Sequence, residues 1–470
     1  MLPPLVNMQD GCVSARTRFA ALRWQNGPRS VWRGPALVLA ALLIVAAGEY
    51  LLNREDEPAR VQFALAAPDF GPADYQAHSE TLKDRLELDR ERVARAPGEW
   101  LPRASLASAL LADFRVTGRV ESLEIARREY SLVQSLAPEP AGAPLALADF
   151  ALATHDIAAA KSALVVFSRS AVPPTPIERS EAFAMHSDIA FYKADLAAAH
   201  QRLAQAEGLA AGSGIHIRQA LLLRSTGEFD GALTRLAHAS TSTSRTPLTL
   251  ASIALQAGVI ESSRGNYAKA RNWYETAERL FPGYWLTRLH LAEARLVAGE
   301  DVQAIAELES IVEQSPRPEA MDMLALIYRV KGQRAKSLEW SRRASAIWRQ
   351  RVAEFPNAYG AHAAEHELVF GDPNRALALA IQNRRARPYG EARILLANTL
   401  IANGQPEIAL DELIAAEASG WRSATLYAAK AQASDLLGHT DNAETYREQA
   451  ISLNPEIFAA RTRMVWLAHG

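Results

Sequence analysis

The stretch with residue types and spacing best suited to chemistry is His362-Ala-Ala-Glu365-His366. Imidazoles four residues apart share one face of a helix and can bind one zinc ion, with the adjacent glutamate as base toward metal-bound water. A zinc-dependent peptidase or a metal-binding protein would be built this way. It would also need a third ligand from another helix, and Glu444 lies at a suitable distance along the chain. The competing reading makes His362, Glu365 and His366 polar positions of a helix face, since five common residues fall into this order readily. That reading is preferred, so no metal and no cofactor are expected.

Other catalytic patterns are weaker still. Ala211-Gly212-Ser213-Gly214 has no Gly-Lys-Ser/Thr after it, so it reads as a turn and not a phosphate cradle. The one cysteine, Cys12, rules out an intramolecular disulfide and sits in a tail, with no Cys/His pair to join. No Ser/His/Asp arrangement is recognisable. The chain is therefore expected not to be an enzyme. A net charge of −2 gives no footprint for nucleic acid.

The elements that would hold such residues are helices. Hydrophobic residues make up 49% of the chain but aromatics only 7%, and alanine, the strongest helix former, is abundant. Turn glycines Gly265, Gly299, Gly332, Gly371, Gly404 and Gly438 are separated by 34, 33, 39, 33 and 34 residues. Ala270, Ala304, Ala376, Ala409 and Ala443 keep the same phase five residues later, and Pro282, Pro316, Pro388 and Pro455 close the units. The longer step holds an extra turn between Arg351 and Pro356, which lengthens the helix bearing Trp340 and Trp348. Earlier units, around Gly227, Ala194, His155 and Gly118, are less regular, and ten are counted in all. A helix pair of this size cannot bury its own apolar stripe, so neighbours must stack and share a core.

Arg264-Gly265-Asn266-Tyr267-Ala268-Lys269-Ala270, with Tyr274, Ala277 and Pro282, resembles the second half of a tetratricopeptide repeat. Gly371-Asp372-Pro373, Arg375-Ala376-Leu377, Arg387-Pro388, Leu396-Ala397 and Leu453-Asn454-Pro455 are similar to membrane-anchored or exported bacterial repeat proteins of that family. The resemblance implies an all-α, right-handed superhelical solenoid over 99–455 that serves as a binding scaffold, with a capping helix over 456–470. In the family's phase the positions lining the concave groove are Glu319, Asp322, Leu326 and Arg329 in one unit. They are Ala358, Ala361, Glu365 and Leu368 in the next, then Glu391, Ile394, Asn398 and Ile401. Only Asn398 suits a carboxylate clamp. A mildly acidic, partly apolar groove would instead take a protein or peptide segment with basic residues. Trp273 and Trp340 share one position of their units and are expected to pack in the core.

Ahead of the array, residues 1–34 carry five arginines against Asp10, and 35–52 is an apolar run closed by Arg54, Glu55, Asp56 and Glu57. The run reaches about 17 residues if Glu49 snorkels, just under the roughly 20 a spanning helix needs. It reads as a transmembrane anchor, or else as a signal segment cut after Val45-Ala46-Ala47. Arginines before the run place residues 1–34 in the cytoplasm and the array beyond the membrane. Residues 53–98 read as a linker followed by a charged amphipathic helix. The expectation is an inner-membrane, periplasm-facing scaffold for protein–protein interaction, in envelope assembly or export. The alternatives are the zinc reading above and a regulatory module that binds a peptide or sugar.

Overall fold

The computed structural model describes residues 63–466, apart from 66, 139, 140, 243 and 244. The tail 1–34 and the apolar segment 35–52 lie outside the described residues. Among the described residues no helix is long and apolar enough to cross a membrane, and regular structure is helical throughout.

A first helix, α1 (Tyr75–Arg95), precedes ten antiparallel helix pairs. Repeat 1 is α2 (Trp100–Thr117) with α3 (Val120–Leu136), and repeat 2 is α4 (Pro144–Ala153) with α5 (Ile157–Phe167). Repeat 3 is α6 (Pro176–Tyr192) with α7 (Leu196–Leu209), and repeat 4 is α8 (Ser213–Ser225) with α9 (Phe229–Ser240). Repeat 5 is α10 (Pro247–Ser263) with α11 (Tyr267–Leu280), and repeat 6 is α12 (Trp285–Ala298) with α13 (Asp301–Gln314). Repeat 7 is α14 (Pro318–Val330) with α15 (Arg334–Glu354), and repeat 8 is α16 (Pro356–Phe370) with α17 (Pro373–Ala386). Repeat 9 is α18 (Gly390–Ala402) with α19 (Pro406–Ala418), and repeat 10 is α20 (Ala424–Leu436) with α21 (Thr440–Leu453).

One alanine column explains the pairing. Ala126, Ala160, Ala199, Ala232, Ala270, Ala304, Ala376, Ala409 and Ala443 are all essentially without exposed surface. A methyl group buries little area, but its small size lets the first helix of each pair lie close enough for leucines and aromatics to meet. Repeat 7 has Ser337 in this column, and its Oγ donates to the carbonyl of Ala325 at 2.8 Å, so the buried hydroxyl is satisfied. Proline in the first turn and side-chain caps from Asp156, Thr175, Asp195, Thr246 and Ser423 set the helix starts.

The turn between paired helices needs a left-handed residue. Gly227, Gly265, Gly299, Gly332, Gly404 and Gly438 supply it with φ between 71° and 88°. In repeats 2 and 3 His155 and Ala194 occupy that conformation, with φ of 56° and 64°. Gly371 differs from its counterparts. Its φ is −119°, outside the left-handed region, and a Cβ there would push aside the Glu367 carboxylate that accepts the Asp372 amide.

Two segments depart from the sequence expectation. Residues 63–72, expected as part of a linker, pack on repeat 5: the Phe63 ring lies 4.8 Å from Trp273, and Asp69 pairs with Arg245 at 2.6 Å. Trp273 packs against the core clusters as expected and also meets the chain's own leading segment, its ring tilted to that of Phe63. The capping helix expected over 456–470 is, within the described residues, a set of turns and one short 3-10 helix, Ala460–Met464. The helical path is abandoned because Met464 and Trp466 fold back onto an apolar cluster formed by repeats 1, 6, 7 and 8.

Successive turns of the array touch through a seam. The last turns of first helices meet the residues that open repeats five to seven units later. Trp285 Nε1 donates to the carbonyl of Val116 at 2.9 Å, and Arg317 donates to that of Thr117 while its guanidinium covers the Trp285 ring at 3.9 Å. Phe191 lies 5.7 Å from Tyr389 and 5.8 Å from Trp421. The Arg422 amide donates to the carbonyl of Ser225 at 2.9 Å.

Candidate functional site

The polar residues singled out in the sequence gather where repeats 7, 8 and 9 face the interior. The extra length of α15, 21 residues against 14 in α13 and α17, delivers Trp348 and Arg351 there. Trp348 Nε1 donates to Asp322 Oδ2 at 2.8 Å, and His366 Nδ1 lies 2.6 Å from Asp322 Oδ1. Asp322 has no exposed surface. Burial raises its pKa, against the pull of His366 and Trp348. Arg351 binds Glu319 at 3.0 Å. Burial would raise the Glu319 carboxyl, but Arg351, a backbone N–H and His362 outweigh it and hold it below the usual range.

The two histidines of the H-x-x-E-H pattern turn to different partners. The His362 ring stacks on Trp348 at 5.6 Å, and its Nδ1 is 3.5 Å from Glu365 Oε2. Burial alone would lower the His362 pKa, yet Glu365 and Glu319 leave it raised. His366 serves Asp322, and Glu444 pairs with Arg447 on α21 at 3.0 Å. Among the described residues no group of three or more His, Cys, Asp or Glu is placed to hold a metal ion.

The remaining groove-phase residues are distributed along the same interior. Arg329 donates to the carbonyl of Val369 at 2.5 Å and covers the Phe370 ring at 5.5 Å. Glu391 reaches across the seam to Arg224 at 3.4 Å. Ile394 is buried and Asn398 half-buried. Several of the candidate charges are therefore compensated inside the array.

Sequence reasoning missed a buried cluster beside them. Arg387 is 3% exposed and donates to Asn383 Oδ1 at 2.7 Å and to the carbonyl of Asn357 at 3.1 Å. Its guanidinium lies 5.4 Å from the Tyr192 ring and 5.7 Å from that of Tyr389. Burial pushes the Tyr192 hydroxyl up to about 12. One signal was present: Asn383 falls seven residues after Ala376, where Ala277, Ala416 and Ala450 stand in other repeats. A polar residue in a column of alanines marks a buried hydrogen-bonding role.

Beyond repeat 10 the seam is continued by residues 454–466. Asn454 Nδ2 lies 3.4 Å from the Tyr267 hydroxyl. Arg461 Nη1 donates to the carbonyl of Leu296 at 3.1 Å, and the Trp466 amide donates to Glu293 Oε1 at 2.5 Å.

Residues 262–327 and 424–457 each match a tetratricopeptide-repeat family. No curated protein matches the chain. Among solved structures, yeast Tom70 is similar at 15% identity over 89% of this chain and 94% of that one, with a TM-score of 0.42. The tetratricopeptide-repeat domain of P58(IPK) is similar at 13% identity over 78% and 98%, with a TM-score of 0.27. A tetratricopeptide-repeat protein from Parabacteroides merdae is similar at 15% identity over 54% and 98%, with a TM-score of 0.32.

Proposed function

We propose that this chain, which carries tetratricopeptide repeats, is a membrane-held scaffold that binds proteins through the inner surface of its array. Residues 35–52 serve as the anchor, and the array stands on the periplasmic side of a bacterial inner membrane, in envelope assembly or export. The observation that carries the reading is the run of ten like helix pairs, whose first helices bring the partly exposed Glu319, Glu365, Glu391 and Asn398 toward one interior, with the buried Asp322 beneath them. Rigid stacked pairs hold such a surface in place without ordering cost on binding. A partner segment combining basic and apolar residues suits acids set among leucines and isoleucines.

Two measurements test it. A reporter fused after Gly470 is expected to be active only outside the cytoplasm; activity inside would remove the membrane placement. A photo-crosslinker at Asn398 should trap a protein in living cells, while one at exposed Arg342 on α15 should not. Equal trapping at both positions, or none at either, would remove the scaffold reading.

A further inference from the structure

We propose that residues 456–466 occupy, within the same chain, a docking ledge at the end of α12, and that a partner binds there by displacing them with a segment of like chemistry. The inference deepens the scaffold reading and rests on it.

The chemistry of the ledge is shown twice. At the seam between repeats 1 and 7, α2 ends in the left-handed Gly118. Arg317 lies against this glycine, donates to the carbonyl of Thr117 and stacks on Trp285. At repeat 6, α12 ends in the left-handed Gly299. Arg461 lies against that glycine and donates to the carbonyl of Leu296. A helix C-terminus offers unpaired carbonyls and partial negative charge, so a guanidinium is its natural partner, and a bare glycine lets it come close. Arg461 thus repeats in the following segment what Arg317 does within the array.

Apolar and backbone contacts complete the site. Met464 is buried in the same cluster as Leu289, Leu296 and Leu324, and Trp466 packs on it with its ring 5.9 Å from Phe370. By the phase that places the turn glycine at position 15, Leu289, Glu293 and Leu296 are groove positions of repeat 6. Glu293 is 4% exposed and accepts the Trp466 amide. What the ledge reads is therefore an arginine followed at three and five residues by methionine and tryptophan.

The occupant is built to leave. It has no α-helix of its own, only the five-residue 3-10 helix Ala460–Met464. Phe458 is 46% exposed, and the Arg461 side chain is 58% exposed. A short segment held to the array mainly by Met464, Trp466 and the hydrogen bond of Arg461 opens at lower cost than a packed helix pair. While in place, it competes at the high local concentration of a tethered ligand.

The test uses the full chain and a fluorescent synthetic peptide spanning residues 456–470. The variant carrying Arg461→Glu, Met464→Ser and Trp466→Ser should bind the peptide about tenfold or more tightly than the unaltered chain, because the free fraction of the ledge rises. Arg461→Ala, at a mostly exposed side chain, should move binding in the same direction and covers the case in which the triple variant unfolds. Equal binding by Arg461→Ala and the unaltered chain, at unchanged helicity, would overturn the proposal. Trapping of a cellular partner at Asn398 with no gain in peptide affinity would leave the scaffold reading standing and remove the displaceable occupant. A gain in peptide affinity without any trapped partner would do the reverse.

Discussion

Asp322 and His366, 44 residues apart, meet at 2.6 Å with Asp322 fully buried, and the second carboxylate oxygen takes the Trp348 indole N–H at 2.8 Å. One side chain thereby joins α14, α15 and α16 and ties repeat 7 to repeat 8. Asp322→Ala leaves two buried polar groups without their acceptor, at about 1–3 kcal/mol each. Urea unfolding should show a loss of about 3 kcal/mol, and about half that for Asp322→Asn, which keeps one acceptor. A loss under about 0.5 kcal/mol would mean that the carboxylate does not hold the repeats together.

Left-handed backbone at Ala194, with φ of 64°, predicts a gain on removing its Cβ. Ala194→Gly should stabilise the array by up to about 1 kcal/mol, the left-handed penalty less the extra freedom of the unfolded glycine. Gly265→Ala should act in the opposite sense and more strongly. Its φ is 83°, and a Cβ would also be driven into the Asn454 side chain. Thermal unfolding of both variants checks the pair of signs.

Arg317 closes the seam between repeats 1 and 7 by donating to the carbonyl of Thr117 while covering Trp285. Arg317→Ala should cost about 2–3 kcal/mol, the range for a charge-assisted hydrogen bond together with a desolvated cation–π contact. It should also loosen the array, seen as faster amide exchange in α2 and a larger radius in X-ray scattering. An unchanged radius with unchanged exchange would locate the closure elsewhere.

Burial, with Arg387 and His362 nearby, holds His155 well below its ordinary pKa, and its Nδ1 is buried without a hydrogen-bond partner. The folded chain keeps this ring neutral, while the unfolded chain takes up a proton as the pH falls through 6.5. Its contribution to stability is therefore complete above pH 6.5 and is lost as the pH falls below it. His155→Asn, a residue that tolerates the left-handed turn, should lose less stability between pH 8 and pH 5 than the unaltered chain. Denaturant unfolding at the two pH values measures the difference.

What could be read from the sequence was what repeats. The alanine column and turn glycines recur because each pair meets the same local geometry, and the long step before Gly371 announced the longer α15. The turn at Ala194 was harder, because a conformation was kept where the usual residue was not. The seam was not legible. Trp285, Arg317, Phe191 and Trp421 find their partners five to seven repeats away, and no period links such partners. Asp322, His366 and Trp348 stand out in the sequence for separate reasons, and only packing brings them together. The sequence around Met464 and Trp466 suggests a continuing helix, because an apolar run does not say on which neighbour it will land.

The seam also bears on how the array comes apart. An open solenoid can melt unit by unit from its ends, since each unit knows only its neighbours. Here Val116 holds Trp285 and Ser225 holds Arg422, so losing one early repeat strips support from another far along the chain. Unfolding should be a single concerted event, and the number of units is locked. A thirty-four-residue duplication inserted after α13 would carry Arg317 one step out of register with Thr117 and misalign every later partner.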